Sequence, residues 1–214
     1  REAPGRVEFR AVEFRYHRRQ PLALKGVSFV VEPRSSLCVV GPSGAGKDTL
    51  LDLARAALAD RPGLRFARRS ITRPADAGGE DHEALSEAAF DARVAEGAFF
   101  AHWQAHGLRY GLPGAIADWL AAGETVVANG SRAAAPAIAA QCAVLEMVVV
   151  DASADVIAQR LAGRGRESAA EIVTRRARAV PPPPEGVPVR QVLNDTSPEA
   201  GAALLVNAIL GRGR

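Results

Sequence analysis

From residue 35 onward, short apolar runs alternate with longer stretches whose apolar residues recur at helical spacing. The pattern predicts strands over residues 36–40, 64–69, 124–129, 145–150 and 188–193. Three of these are nearly continuous apolar runs: Leu37-Cys38-Val39-Val40, Thr125-Val126-Val127-Ala128 and Met147-Val148-Val149-Val150. Strands of that kind are covered on both faces, as in a parallel sheet flanked by helices. Helices are predicted over 47–60, 86–96, 114–122, 133–141, 154–163, 168–179 and 198–210. The first 35 residues follow a different rhythm. Val7-Glu8-Phe9-Arg10 and Val27-Ser28-Phe29-Val30-Val31-Glu32 alternate apolar and polar residues, as half-exposed antiparallel strands do, and suggest a hairpin added at the sheet edge.

Local signals sharpen these boundaries. Ser168 followed by Glu171 forms a capping box, and Ser197-Pro198-Glu199 places proline at a first helical position. Pro181 to Pro184 form a stiff connector that ends one helix and delivers the chain to the last strand. The expected organisation is a β-hairpin appendage over residues 1–35 and one α/β domain over 36–214, with no internal repeat.

Bulk properties change the picture little. The chain has 214 residues, 48% hydrophobic and 24% charged, enough for one domain with a substantial core. A net charge of +3 with arginines spread along the chain suits phosphate substrates and gives no reason to infer nucleic acid. Cys38 and Cys142 lack metal-ligand spacing and suit a reducing compartment without a disulfide. No apolar run approaches the roughly 20 residues of a membrane span, and no signal peptide is visible, so a cytoplasmic location is expected. The chain opens on Arg1 rather than methionine, the opening of a fragment or a processed chain.

The chemistry begins at Gly41-Pro42-Ser43-Gly44-Ala45-Gly46-Lys47-Asp48-Thr49, between a predicted strand and a predicted helix. Its glycines let backbone N–H groups wrap an anion, and the following helix adds its N-terminal dipole. Only two lysines occur beside 25 arginines, and Lys47 occupies the one place where a compact ammonium must reach between nucleotide phosphates. These features specify a nucleotide-phosphate site. Asp48 follows Lys47 where most such loops carry a magnesium-binding Ser or Thr, and Thr49 comes one place later. Asp48 and Thr49 are both candidate Mg2+ ligands, with water supplying the rest.

Four further groups stand out. Arg69-Ser70-Ile71-Thr72-Arg73-Pro74 lies just past the second strand of the domain, where open α/β sheets bind ligands, and guanidinium forks suit phosphate oxygens. Gln159 to Ser168, followed by Arg175 and Arg176, is a helix–loop–helix rich in guanidinium groups, a form able to close over a triphosphate. Asn129-Gly130-Ser131-Arg132 ends the Val126-Val127 strand without the acidic residue that a motor ATPase carries there. Tyr110, within Gly107-Leu108-Arg109-Tyr110-Gly111, can donate to a phosphate. His82, His102 and His106 have no metal-ligand spacing and are expected to line the site or lie on the surface.

From about residue 36, these motifs resemble the guanylate kinase-like branch of the phosphate-loop kinases, and within it the ribose 1,5-bisphosphate phosphokinase family of phosphonate degradation. The matches are Gly46-Lys47-Asp48-Thr49, Ile71-Thr72-Arg73, Glu80-Asp81-His82, Ala84-Leu85-Ser86, Tyr110-Gly111, Asn129 to Arg132 and Arg164-Gly165-Arg166-Glu167. The resemblance implies a phosphate-loop kinase fold with a helical lid, ATP as donor with Mg2+, and a sugar phosphate acceptor. It places Gly41 to Thr49 and Asn194 at the nucleotide, and Lys47, Arg164, Arg166 and Arg175 at the transferring group. Arg69, Thr72, Arg73, Tyr110, Asn129, Ser131 and Arg132 would surround the acceptor. Guanylate kinases read guanine with an acidic residue where this chain has Ala101, and carry a second phosphate-binding arginine where it has Asp76.

Val7 to Leu51 resembles instead the opening of an ABC-transporter ATPase, with Tyr16 in the place of the aromatic that stacks on adenine. No Leu-Ser-Gly-Gly-Gln signature follows, so the motor reading is disfavoured, although association with ABC or phosphonate-pathway proteins would suit the mosaic. The same motifs also fit guanylate or another nucleoside monophosphate kinase, or a catalytically inactive guanylate kinase-like binding module. The module reading conflicts with the retained Lys47.

Overall fold

The computed structural model describes residues 7–14, 24–31, 35–42, 44–77, 79–162 and 182–210. Five parallel strands form its centre: β3 (Ser36–Val40), β4 (Leu64–Ala67), β9 (Thr125–Asn129), β10 (Leu145–Asp151) and β11 (Val189–Leu193). Their order is β11-β10-β3-β9-β4, so the chain leaves β3 for one side of the sheet and later crosses to the other. The crevice at such a reversal, beyond the strands' C-terminal ends, is where this architecture holds ligands.

Alternation along β3 explains the layering. Leu37 and Val39 face one core together with Leu50, Leu51 and Ala54 of α1 (Lys47–Ala57). Leu205, Val206 and Ile209 of α6 (Pro198–Ile209) complete that side. Cys38 and Val40 face the other core, where Ile116 of α3 (Ala115–Ala121) and Ile138 of α4 (Ala135–Ala139) pack. The predicted three-layer α/β fold is what forms. Helix α5 (Ala154–Ala162) follows β10, and α6 starts at Pro198 with the Ser197 hydroxyl accepting from Ala200 N at 3.3 Å. The predicted helix over 168–179, its capping box, Pro181, Tyr16, Ser43 and the lid arginines Arg164, Arg166, Arg175 and Arg176 lie outside the described residues.

The hydrophobic pattern did not announce a second sheet. Strands β5 (Ser70–Ile71), β6 (Glu83–Ala84), β7 (Phe99–Ala105) and β8 (Leu108–Pro113) assemble in the order β6-β5-β8-β7. β7 and β8 form a hairpin with Trp103 opposite Tyr110, turned by His106 and Gly107 at φ 54° and 72°. Two consecutive left-handed residues make the tight turn that suits strand twist. The signal was present: an aromatic-rich run followed by His-Gly and another β-prone run. Helix α2 (Glu87–Ala95) buries Phe90 against Phe99, ring centres 4.7 Å apart, and Ser86 caps it by accepting from Ala89 N at 3.1 Å.

β1 (Val7–Phe14) and β2 (Leu24–Val31) form the predicted antiparallel hairpin. They build a two-stranded sheet of their own and do not extend the five-stranded one. Pairing satisfies the facing edge of each strand.

Packing at the end of β9 generates a test. A Cβ on Gly130 would collide with Cys38 Sγ, and Cys38 is wholly buried, its thiol pushed up to about 12 chiefly by that burial. Gly130→Ala should therefore destabilise the protein by about 1–3 kcal/mol through overpacking. Cys38→Ala in that background should recover part of the loss, so additive effects in urea unfolding would contradict the contact.

Candidate functional site

The phosphate loop joins β3 to α1 under tight steric limits. Gly44 and Gly46 have φ of 88° and 84°, values that L side chains adopt only with strain. A Cβ on Gly41 would strike the Val150 carbonyl oxygen, and one on Gly46 would come within 2.5 Å of Asn194 Nδ2. The same Asn194 is 2% exposed and donates from Nδ2 to Ala45 O at 2.8 Å. Asn194, which the resemblance places at the nucleotide, thus grips the phosphate loop itself. Gly201 of α6 lets it fit, since a Cβ there would collide with Asn194 Oδ1. Arg160, at the end of α5, reaches Ala45 O through Nη1 at 3.4 Å, which brings one guanidinium beside the loop. In the sequence Arg160 stands out only as part of the arginine-rich lid segment; its spacing before Arg164 was the available signal.

Lys47 leads inward to a polar cluster. Its side chain is 13% exposed, and Nζ donates to Asp48 Oδ1 at 2.7 Å and to Asn129 Oδ1. Burial pulls the ammonium below its usual pKa, opposed by the Asp48 charge. Asn129, at the C-terminal end of β9, donates from Nδ2 to Asp48 Oδ1 at 3.1 Å and to Glu80 Oε2 at 2.8 Å. Burial pushes the Asp48 carboxyl up, but Lys47, Arg69 and the Asn129 hydrogen bond outweigh it and hold the group below the usual carboxylate range. Thr49 is exposed on α1, one residue beyond this cluster.

The cluster continues to Arg69. Its guanidinium donates from Nε to Glu80 Oε2 at 3.0 Å and from Nη2 to Glu80 Oε1, the two side chains being 8% and 10% exposed. Arg69 Cζ also lies 5.0 Å from the Tyr110 ring centre and 5.9 Å from that of Trp103. Those two rings stack on one another at 5.5 Å and 8°. Burial pushes the Tyr110 phenol up, so at neutral pH it is a proton donor.

Arg73 sits beside this wall. His82, 5% exposed, has Nε2 3.1 Å from Arg73 O and Nδ1 2.9 Å from Glu80 O. Arg73 Nη2 lies 3.3 Å from His82 Nδ1, while Arg73 Nε is buried without a partner among the described residues. The Thr72 hydroxyl accepts from Arg109 N at 2.9 Å and ties β5 to β8, and Ser131 Oγ accepts from Ala134 N at 3.1 Å. Both hydroxyls thus already serve the backbone. Arg132 is half-buried just past β9. Glu80 stands out in the sequence only within a family motif, because nothing in its spacing shows that it meets Arg69 and Asn129.

The Lys47–Asp48 pairing has a pH signature. A carboxylate whose folded pKa is depressed contributes stability above its unfolded value near ~3.9 and loses it as pH falls through the folded value. Asp48→Asn should thus lower the urea midpoint at pH 7, and the gap from wild type should close below about pH 4. A gap that persists unchanged in acid would mean that the Asp48 charge does not carry the interaction.

Known proteins share this arrangement of sequence and fold. No protein-family model matches the chain. It is 51% identical over 143 residues to the ribose 1,5-bisphosphate phosphokinase PhnN of Agrobacterium fabrum, covering 67% of this chain and 78% of that protein. It is 51% identical over 144 residues to the protein of the same name from Brucella melitensis, covering 67% and 75%. A bifunctional ribose 1,5-bisphosphokinase-thymidine phosphorylase of Azorhizobium caulinodans is 54% identical over 174 residues, covering 81% of this chain. The chain spans about a quarter of the length of that bifunctional relative. Its fold is similar to the crystal structure of guanylate kinase from Anaplasma phagocytophilum, with a TM-score of 0.57 at 17% identity over 84% of this chain and 86% of that one. With half of its aligned residues identical across most of the Agrobacterium and Brucella proteins, this chain belongs to the ribose 1,5-bisphosphate phosphokinase family.

Proposed function

We propose that this chain transfers the γ-phosphoryl group of ATP to the 1-phosphate of ribose 1,5-bisphosphate, giving 5-phosphoribosyl 1-diphosphate in phosphonate breakdown. One observation carries the reading: the phosphate-loop lysine donates to Asn129, the buried guanidinium of Arg69 donates to Glu80, and Asn129 and Glu80 are hydrogen-bonded to each other. A donor-phosphate group and an acceptor-phosphate group are thereby brought to one cleft. The names of the half-identical relatives supply the acceptor.

The loop suits a nucleotide phosphate chain because Gly44 and Gly46 hold left-handed φ and Gly46 leads directly into the N-terminus of α1, whose first N–H groups and dipole favour an anion. Lys47 neutralises the donor phosphates, and Asp48, with Thr49 as the neighbouring candidate, would hold Mg2+ together with water. Bound there, the metal would supply neutralisation of the donor's negative charge. Arg69, Arg73, Tyr110 and Arg132 bind the acceptor, and the resemblance gives Arg164, Arg166 and Arg175, outside the described residues, the role of stabilising the transferring group. An oxygen of the acceptor's 1-phosphate attacks the γ-phosphorus, the bond to the bridging oxygen breaks, and ADP departs with that electron pair. The acceptor's second pKa lies near ~6, so it arrives largely ionised and needs no general base. Positioning and electrostatics carry the rate.

Guanylate kinase activity is the second reading, and Ala101 weighs against it. Ala101, which the resemblance aligns with the acid of guanine-reading enzymes, is buried in the apolar core with Cys38, Leu112 and Ile116. Nothing at that position can pair with a base edge, a loss on the order of 10⁴-fold in discrimination. No helix among the described residues is long and apolar enough to cross a membrane. A cytoplasmic site of action is part of the proposal, as is the division into a hairpin over 1–35 and a kinase domain over 36–214.

Two expected outcomes test it. Coupled ADP release should show turnover with ribose 1,5-bisphosphate and little with GMP, and Lys47→Ala should abolish it; comparable kcat/KM for GMP would overturn the acceptor. Deleting residues 1–34 should leave the KM for ATP within a few-fold, about 1 kcal/mol. A loss of affinity reproduced by Tyr16→Ala would place the hairpin in the nucleotide site instead.

A further inference from the structure

Arg69 can meet an anion through only part of its surface. A guanidinium has five N–H donors in a rigid fork. Glu80 occupies the edge formed by Nε and Nη2, in the bidentate arrangement that fixes both rotation and tilt. The stacked Trp103–Tyr110 pair lies alongside the guanidinium, so its plane is also set. Nη1 makes no hydrogen bond among the described residues and belongs to the edge that stays available. The carboxylate is itself held. Its Oε2 accepts from Asn129 Nδ2 at 2.8 Å, and Asn129 Oδ1 accepts from Lys47 Nζ. Arg69, Glu80, Asn129 and Lys47 form one continuous chain of hydrogen bonds from β5's approach to the head of α1.

We infer that Glu80 is a positioning residue that aims the open edge of Arg69 at the acceptor phosphate and fixes it relative to Lys47 through Asn129. This rests on the acceptor reading above for its catalytic meaning, and on the four-residue chain alone for its geometry. A carboxylate beside an anion-binding arginine would be counterproductive if charge were all that mattered, because it cancels the cation. It is useful where direction matters more. A buried arginine freed from its partner keeps its charge but can swing through several rotamers, and transfer requires reacting atoms held about 3–3.5 Å apart. The arrangement also predicts which parameter suffers. ATP is held by loop backbone and Lys47, so loss of Glu80 should weaken acceptor use and leave donor affinity nearly intact.

The test uses Glu80→Gln, which keeps the size and removes the charge, with Glu80→Asp as a second variant that keeps the charge and shortens the reach. In the ADP-release assay, Glu80→Gln should raise the KM for ribose 1,5-bisphosphate or lower kcat by about ten-fold or more, with the KM for ATP within about three-fold. Glu80→Asp should fall between Gln and wild type. Arg69→Met should make the change at Glu80 silent, because Glu80 acts through Arg69, so the double variant should be no worse than Arg69→Met alone. Independent, additive losses would overturn the inference, as would equal losses in the two KM values. A second readout does not depend on the acceptor. In the substrate-free protein, the Arg69 Nε–H resonance should be sharp and slow to exchange with solvent, and it should broaden or vanish in Glu80→Gln. If wild type shows no turnover with ribose 1,5-bisphosphate, the acceptor reading fails while this resonance still decides whether Glu80 holds Arg69. An unchanged resonance in Glu80→Gln would overturn the inference whatever the acceptor.

Discussion

Burying Lys47 at the head of a helix is the constraint around which the site is arranged. An ammonium out of water costs several kcal/mol unless paired and hydrogen-bonded. Here Asp48 supplies the charge and Asn129 a second acceptor, and Asn129 in turn satisfies Glu80, whose carboxylate pairs with Arg69. Two cations and two anions are interleaved, so neither sign accumulates in the cluster, which stays open to solvent on the Asp48 side. Each member needs its own partner, because a buried polar group left unpaired is costly. That requirement links residues far apart in the chain: Lys47 from α1, Asn129 from β9, Arg69 and Glu80 from the segments around β5.

The parallel sheet makes that linkage cheap. All five strands end on the same side, so Val40, Ala67, Asn129, Asp151 and Leu193 lead into one crevice without any long detour of the chain. Apolar residues on both faces of β3 anchor the crevice to two cores. The smaller sheet then brings Trp103 and Tyr110 against Arg69, adding a rigid apolar wall where a guanidinium would otherwise be mobile. The cleft is thus built from two sheets, Lys47 and Asn129 coming from the head of α1 and the end of β9, Tyr110 and Trp103 from the hairpin.

Close packing between small residues matters as much as charge. Gly41, Gly46 and Gly201 are positions where a single methyl group would strike Val150 or Asn194. The loop's shape is thus fixed from three sides: by left-handed glycines within it, by the carbonyl of β10 beside it, and by the Asn194 amide bonded to Ala45. Such over-determination pre-organises backbone donors before any anion arrives.

Sequence alone determined what depends on local pattern. The runs at Leu37–Val40, Val126–Ala128 and Val148–Val150 fixed buried parallel strands, because only a strand covered on both faces needs uninterrupted apolar residues. Glycine spacing before Lys47 and the Ser197-Pro198 start signal were equally local, and both were legible. Tertiary structure decided the rest. Half of the smaller, mixed sheet has no such local mark, because β5 and β6 are two residues each and gain their identity only from partners in β8 and from each other. Asn194 grips the loop only because β11 docks beside β10, which no periodicity near residue 194 could announce. The meeting of Glu80 with Arg69 and Asn129, 11 and 49 positions away in the chain, arises where three elements converge, and hydrogen-bond geometry across such distances is a property of the fold.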